Sequence, residues 1–148
     1  EPAVPESGPP FASAADLEEC AGVIIGSPSN FGNMAAPLKY FLDNTVGEWL
    51  RGALIGKPFG TFASTGSLHG GQETTLLTMA VPLLHHGMIY VGIPYGEKEL
   101  STTKTGGTPY GASHVSWSRE SDKLSEDEKR LARALGARVA NLAERLQP

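Results

Sequence analysis

The sequence predicts an α/β domain built on a parallel sheet. Three observations lead there. Short apolar runs recur at 21–25 (AGVII), 58–65 (PFGTFAST) and 88–93 (MIYVGI). The first two are each followed by a polar, glycine-containing loop and then by apolar residues at helical spacing. No internal repeat or second composition divides the chain. Strand, loop and helix in succession give a parallel sheet with right-handed crossovers, and 148 residues suit one domain with a sizeable core.

In order, 1–12 is proline-rich and aperiodic and reads as a linker or surface loop. Ser13 with Asp16 is a capping box that starts a short helix through Glu19. The strand at 21–25 is closed by Gly26-Ser27-Pro28. Ser29-Asn30-Phe31-Gly32-Asn33 forms a turn with one aromatic at its tip, and Met34, Leu38, Phe41 and Leu42 mark a helix. In an open α/β sheet ligands bind beyond the carboxyl ends of the strands. Phe31 is therefore either the wall of a site for a flat ring or a core residue folded back under the loop. Residues 44–57 form an irregular connection broken by Gly47, Gly52 and Gly56. Trp49 within it either packs the loop on the body or stands at the mouth of a pocket or subunit contact.

After the second strand, 64–71 (STGSLHGG) leads into a helix over 72–86 that Pro82 should kink. Small residues between strand and helix let a ligand approach backbone N–H groups. The spacing fits no dinucleotide, P-loop or nucleophile-elbow signature. His85 and His86 close the helix before Gly87. Adjacent helical positions point about 100° apart and chelate one ion poorly, so no metal is expected. A third strand at 88–93 precedes a long polar loop, 94–122, with Tyr110 and His114 as its distinctive side chains; its length suggests a functional or assembly element. A second capping box, Ser125 with Glu128, opens the closing helix, one face of which is marked by Leu131, Leu135, Val139, Leu142 and Leu146 with the charged residues on the other.

Composition narrows the function. The net charge of −4, from 12 Lys+Arg and 16 Asp+Glu, disfavours nucleic acid and anionic membranes as partners. No apolar run approaches a membrane span. The lone Cys20 forms no intrachain disulfide, which suits a reducing, cytoplasmic setting, and its acidic neighbours Glu18 and Glu19 argue against a reactive thiolate.

Taken together, GSPSNFGNMAAPLKYFLD, the following Trp49, GALIGKP, STGSLHGGQETT, LLHHGM and GGTPYGASH resemble the WrbA-type NAD(P)H:quinone oxidoreductases. The likeness runs from Ala21 to the final helix. It implies a flavodoxin-like three-layer fold of strand order 2-1-3-4-5, FMN as cofactor, NADH or NADPH as co-substrate, a quinone as acceptor and a homotetramer. By the same resemblance, Ser29, Asn30, Phe31, Gly32 and Asn33 lie along the flavin ring. Ser64, Thr65, Gly66, Ser67, Leu68, His69 and Gly70 surround its pyrimidine side. His85 reaches the flavin, and Trp49 covers the substrate site. Ser29-Asn30 stand where some members carry Thr-Arg, so that edge lacks a guanidinium. The implied reaction is ping-pong: NAD(P)H reduces the flavin and leaves, and a quinone then takes two electrons. No side chain is expected to act as a catalytic acid, base or nucleophile. A one-electron flavodoxin-like carrier and a non-enzymatic FMN-binding interaction protein are the alternatives. The family's first strand and hydroxyl-rich phosphate loop have no counterpart in the sequence. The expectation is therefore that 1–148 is the C-terminal portion of a single flavodoxin-like domain, with 21–25 as an edge strand.

Overall fold

The computed structural model describes residues 8–117 and 123–146. Its elements are α1 (Ala14–Glu19), β1 (Val23–Asn30), β2 (Asn33–Met34), α2 (Ala36–Asp43), α3 (Val46–Arg51), β3 (Pro58–Thr65), α4 (Gln72–His85), β4 (Ile89–Tyr90), α5 (Glu99–Thr102), β5 (Ala112–Val115) and α6 (Glu126–Leu146). Both capping boxes form. The Ser13 N–H donates to Asp16 Oδ2 over 2.6 Å. Ser125 N–H donates to Glu128 Oε2 over 2.7 Å, and Glu128 N–H returns to Ser125 Oγ over 3.2 Å.

β3 is the central strand. β1 runs parallel along one side of it, from Val23 opposite Phe59 to Pro28 opposite Ser64. Its other side is shared by two strands in succession. β4 pairs with Pro58 and Phe59, and β5 pairs with Phe62 to Thr65, both parallel. The parallel part thus reproduces the 3-4-5 half of a flavodoxin-like sheet, with its last strand cut in two. Side chains alternate across the sheet. Phe59 and Ala63 join the core beneath α4 with Leu76, Met79 and Leu83. Gly60 lies under Leu135 and Val139 of α6, whose core includes Val91, Ile93 and Leu131.

Several sequence expectations are corrected. β1 does not stop at Gly26-Ser27-Pro28 but runs to Asn30. Its outer edge is paired only at Ser29 and Asn30, by β2, and a proline without an N–H is tolerated at such an edge. The second helix begins at Ala36, not Met34. The irregular connection contains α3, ended by Gly52 in the left-handed region. The third strand shrinks to two ladder residues. The long loop is not structureless, for α5 and β5 lie inside it; its residues 118–122 fall outside the described residues. Tyr90 pins this excursion by donating its hydroxyl to the Tyr110 carbonyl over 2.5 Å, its ring stacked on Phe59 at 4.9 Å. The edge-strand expectation agrees with the pairing of β1, which among the described residues is laddered from Val23 to Pro28 on one side only, to β3.

Candidate functional site

The carboxyl ends of β1, β3 and β5 carry three loops that meet above the sheet. In the first, Asn30 pairs with Asn33, so Phe31 and Gly32 are the two central residues of a hairpin. Their φ values are +53° and +75°. A two-residue turn with both φ positive is type I′, the form whose twist suits a hairpin. Gly32 meets this at no steric cost, but a bulky phenylalanine does not. Phe31 is also fully exposed. The reading of Phe31 as a core residue is therefore overturned. The chain bears a conformational cost to hold an aromatic ring in the open, as strained functional positions do.

The second loop, 64–71, packs directly against the hairpin. Ser29 Oγ receives the Thr75 hydroxyl over 2.8 Å and donates to the Gly70 carbonyl over 3.3 Å. Gly71 approaches so closely that a Cβ there would stand 2.9 Å from Gly32 Cα. Thr65 Oγ1 donates to the Ser67 carbonyl over 2.9 Å and closes the loop on itself. Asn33 uses its side chain locally, accepting the Met34 N–H over 2.8 Å. The structure thus brings Ser29 to Asn33 together with Ser64 to Gly70. These loops present the exposed Phe31 ring and a run of exposed residues, Gly66 to His69.

The third loop follows β5. Ser116 donates its N–H to the Thr65 carbonyl over 2.9 Å, and Trp117 comes next at φ +56°, largely exposed. The sequence reading missed Trp117. The rule that singled out Phe31 would have found it had β5 been recognised as a strand.

His85 and Trp49 lie elsewhere. α4 has 14 residues, so its ends stand about 20 Å apart at ~1.5 Å per residue. The 64–71 loop is at one end and His85 at the other. Trp49 Nε1 donates to the His85 carbonyl over 2.9 Å. These residues, with Leu42, Thr45, Val46 and Pro82, line a shallow pocket of about 220 Å³. A single chain therefore separates the expected site residues into two groups.

His86 is buried and committed. The Thr45 hydroxyl donates to the Leu42 carbonyl over 2.7 Å, so it must accept from His86 Nε2, 2.8 Å away. That assigns the proton to Nε2. Burial lowers the His86 pKa below its ordinary value, against the opposing pull of Glu48. A neutral, enclosed imidazole leaves His85 as the accessible member of the pair. Among the described residues no cluster of His, Cys, Asp or Glu could hold a metal ion.

Comparison with known proteins identifies the family. Residues 6–96 match the model of the family described as NADPH-dependent FMN reductase. The chain belongs to this family. Within the family it is of the WrbA type. It is 48% identical over 139 residues to an NAD(P)H dehydrogenase (quinone) of Trichlorobacter lovleyi, spanning 93% of this chain and 68% of that one. It is 44% identical over 141 residues to a protein of the same name from Solidesulfovibrio magneticus, spanning 93% and 69%. Among solved structures it resembles the flavodoxin, WrbA-like protein from Agrobacterium tumefaciens, with a TM-score of 0.71, 26% identity and coverage of 90% and 72%. The flavodoxin-like assignment and the WrbA-type resemblance both hold.

Proposed function

We propose that this protein is an FMN-dependent NAD(P)H:quinone oxidoreductase that converts NAD(P)H, a proton and a quinone to NAD(P)⁺ and a hydroquinone. The observation that carries the reading is Phe31, held in the open at φ +53° beside a loop of exposed residues, Gly66 to His69. An apolar face next to outward amide donors fits a flat, carbonyl-bearing ring such as isoalloxazine. Bound FMN supplies two-electron transfer between NAD(P)H and the quinone. The chain's residues place and shield the ring. Phe31 offers one apolar face, the hairpin tip and the 64–70 loop enclose an edge, and backbone amides there can meet charge that develops on an acceptor oxygen.

The split between the two groups of residues supports a homotetramer with a site shared between subunits. The resemblance assigns His85 to the flavin and Trp49 to the substrate site over it, yet their own chain holds them about 20 Å from its ring loops. A second copy can bring them there. The outward face of α4 carries Leu77, Val81 and Leu84 exposed, next to exposed Val46, Trp49 and Leu50. Exposed apolar side chains gathered on neighbouring helices in this way favour an interaction face. A reducing cytoplasm suits the lone Cys20. No helix among the described residues is long and apolar enough to cross a membrane, and the reading involves no nucleic acid.

The test is steady-state oxidation of NADH and NADPH with benzoquinone, with FMN added, beside light scattering at micromolar concentration. Turnover that depends on FMN and quinone together supports the enzyme. Flavin binding without turnover would point instead to a flavodoxin-like electron carrier.

A further inference from the structure

Two amides of the 64–71 loop face outward because a buried side chain holds the peptide planes that carry them. Gln72, the first residue of α4, is only 3% exposed. Its Nε2 donates to the carbonyls of Ser67, over 3.1 Å, and Leu68, over 2.7 Å. The Ser67 carbonyl is held further by Thr65 Oγ1 and by the Gly70 N–H at 3.1 Å. In a trans peptide, N–H and C=O of one plane point in opposite directions. The Ser67 carbonyl shares its plane with the Leu68 N–H, and the Leu68 carbonyl with the His69 N–H. With both carbonyls turned in to Gln72, both N–H groups turn away from it. Neither is spent on a hydrogen bond among the described residues, and both residues are exposed. Gln72 Oε1 is buried and has no partner among the described residues. The side chain therefore holds its orientation through its amide nitrogen.

We propose that Gln72 is a positioning residue for ligand recognition, aiming the Leu68 and His69 amides at a carbonyl-bearing edge of the flavin ring. This rests on the FMN reading above and adds a residue that touches no ligand itself. Consecutive outward N–H groups form a small anion-favouring concavity. Donors fixed in advance stabilise an acceptor oxygen most when it gains negative charge. Gln72 thereby favours binding of the two-electron-reduced ring over the oxidised one.

The experiment uses Gln72→Met, similar in length but without a donor. Dissociation constants for oxidised and two-electron-reduced FMN are measured in both proteins, with amide hydrogen exchange at Leu68 and His69 and melting of the flavin-free forms. In the unaltered protein, FMN should protect both amides. In Gln72→Met that protection should vanish, and reduced FMN should lose about tenfold more affinity than oxidised FMN, a fall of about 30 mV in the bound potential. Gln72→Leu, uncharged and likewise without a donor, should shift the ratio the same way and serves if the methionine variant does not fold. Equal weakening of both redox forms, or a lowered melting temperature with an unchanged ratio, makes Gln72 merely structural and overturns the proposal. So does an unaltered protein that binds FMN without protecting the two amides. An unaltered protein that quenches no flavin fluorescence refutes the FMN reading itself, and this inference with it.

Discussion

Trp49 and His85 are joined by a 2.9 Å hydrogen bond from the indole N–H to the backbone carbonyl, at the end of α4 opposite the ring loops. In a shared site they serve a neighbour's flavin. Two variants with defects in different groups should then complement one another. Phe31→Ala and Trp49→Ala, each impaired alone, should recover measurable quinone reduction when dissociated together and reassembled, because some mixed sites contain both native residues. Mixed and separate samples with the same activity would mean that each chain works with its own residues only.

Phe31 separates binding from folding. Its ring is exposed and its backbone is strained. Phe31→Gly should leave the melting temperature of the flavin-free protein unchanged or raise it. The same substitution should weaken FMN binding by about 1 kcal/mol, the scale of one aromatic contact. A large fall in melting temperature with unchanged flavin affinity would return Phe31 to a packing role.

Glu128 controls behaviour in acid. Burial pushes its pKa up, but this is outweighed by N–H donors from Ser125, Val115 and Gly106 and by the His114 ring, so the carboxyl stays below its ordinary value. A depressed folded pKa adds stability that is present above the unfolded pKa and lost as pH falls through the folded one. Urea denaturation should show that contribution intact near neutrality, starting to decline as pH falls past the ordinary glutamate pKa and gone below the depressed folded one. Glu128→Gln should lower stability at pH 7 by about 1–3 kcal/mol and remove that part of the acid dependence. An identical pH profile in the variant would refute this role.

The phosphate of FMN gives a further test. A bound phosphate needs backbone N–H donors at a helix start or nest. Among the described residues the suitable loop, 64–71, is the one proposed to hold the ring. The 148-residue chain should therefore bind riboflavin about as well as FMN. A phosphate site would add several charge-assisted hydrogen bonds of about 1.5–3 kcal/mol each. Fluorescence titration showing much tighter FMN binding would place the phosphate in the 64–71 loop and displace the ring assignment.

Much of the fold could be read from local chemistry. The β-branched residues before Gly26, the two capping boxes and the spacing of Leu131, Leu135 and Val139 each carry their own signal. What escaped depends on tertiary contacts. Ala112 to Val115 holds a single β-branched residue and becomes a strand because the edge of β3 is free beside it. Missing that strand meant missing Trp117. The loops at 29–33 and 64–70 are legible as candidates in the sequence because both follow strands. His85 and Trp49 came from family likeness alone, which does not reveal that α4 keeps them from the same chain's ring loops.

The succession of β4 and β5 along one side of β3 also makes the intervening segment inexpensive to carry. Loop-closure entropy grows only logarithmically, by about 0.6 kcal/mol per doubling. Moving the partner of β3 from about thirty residues along the chain to about fifty is less than one doubling. β3 acts as a splint across the break, keeping two half-strands in line while the chain between them makes its excursion. As far as closure entropy goes, that stretch can gain or lose length at its exposed turns at little thermodynamic expense, while its buried residues Val91, Ile93 and Glu99 stay fixed by the core.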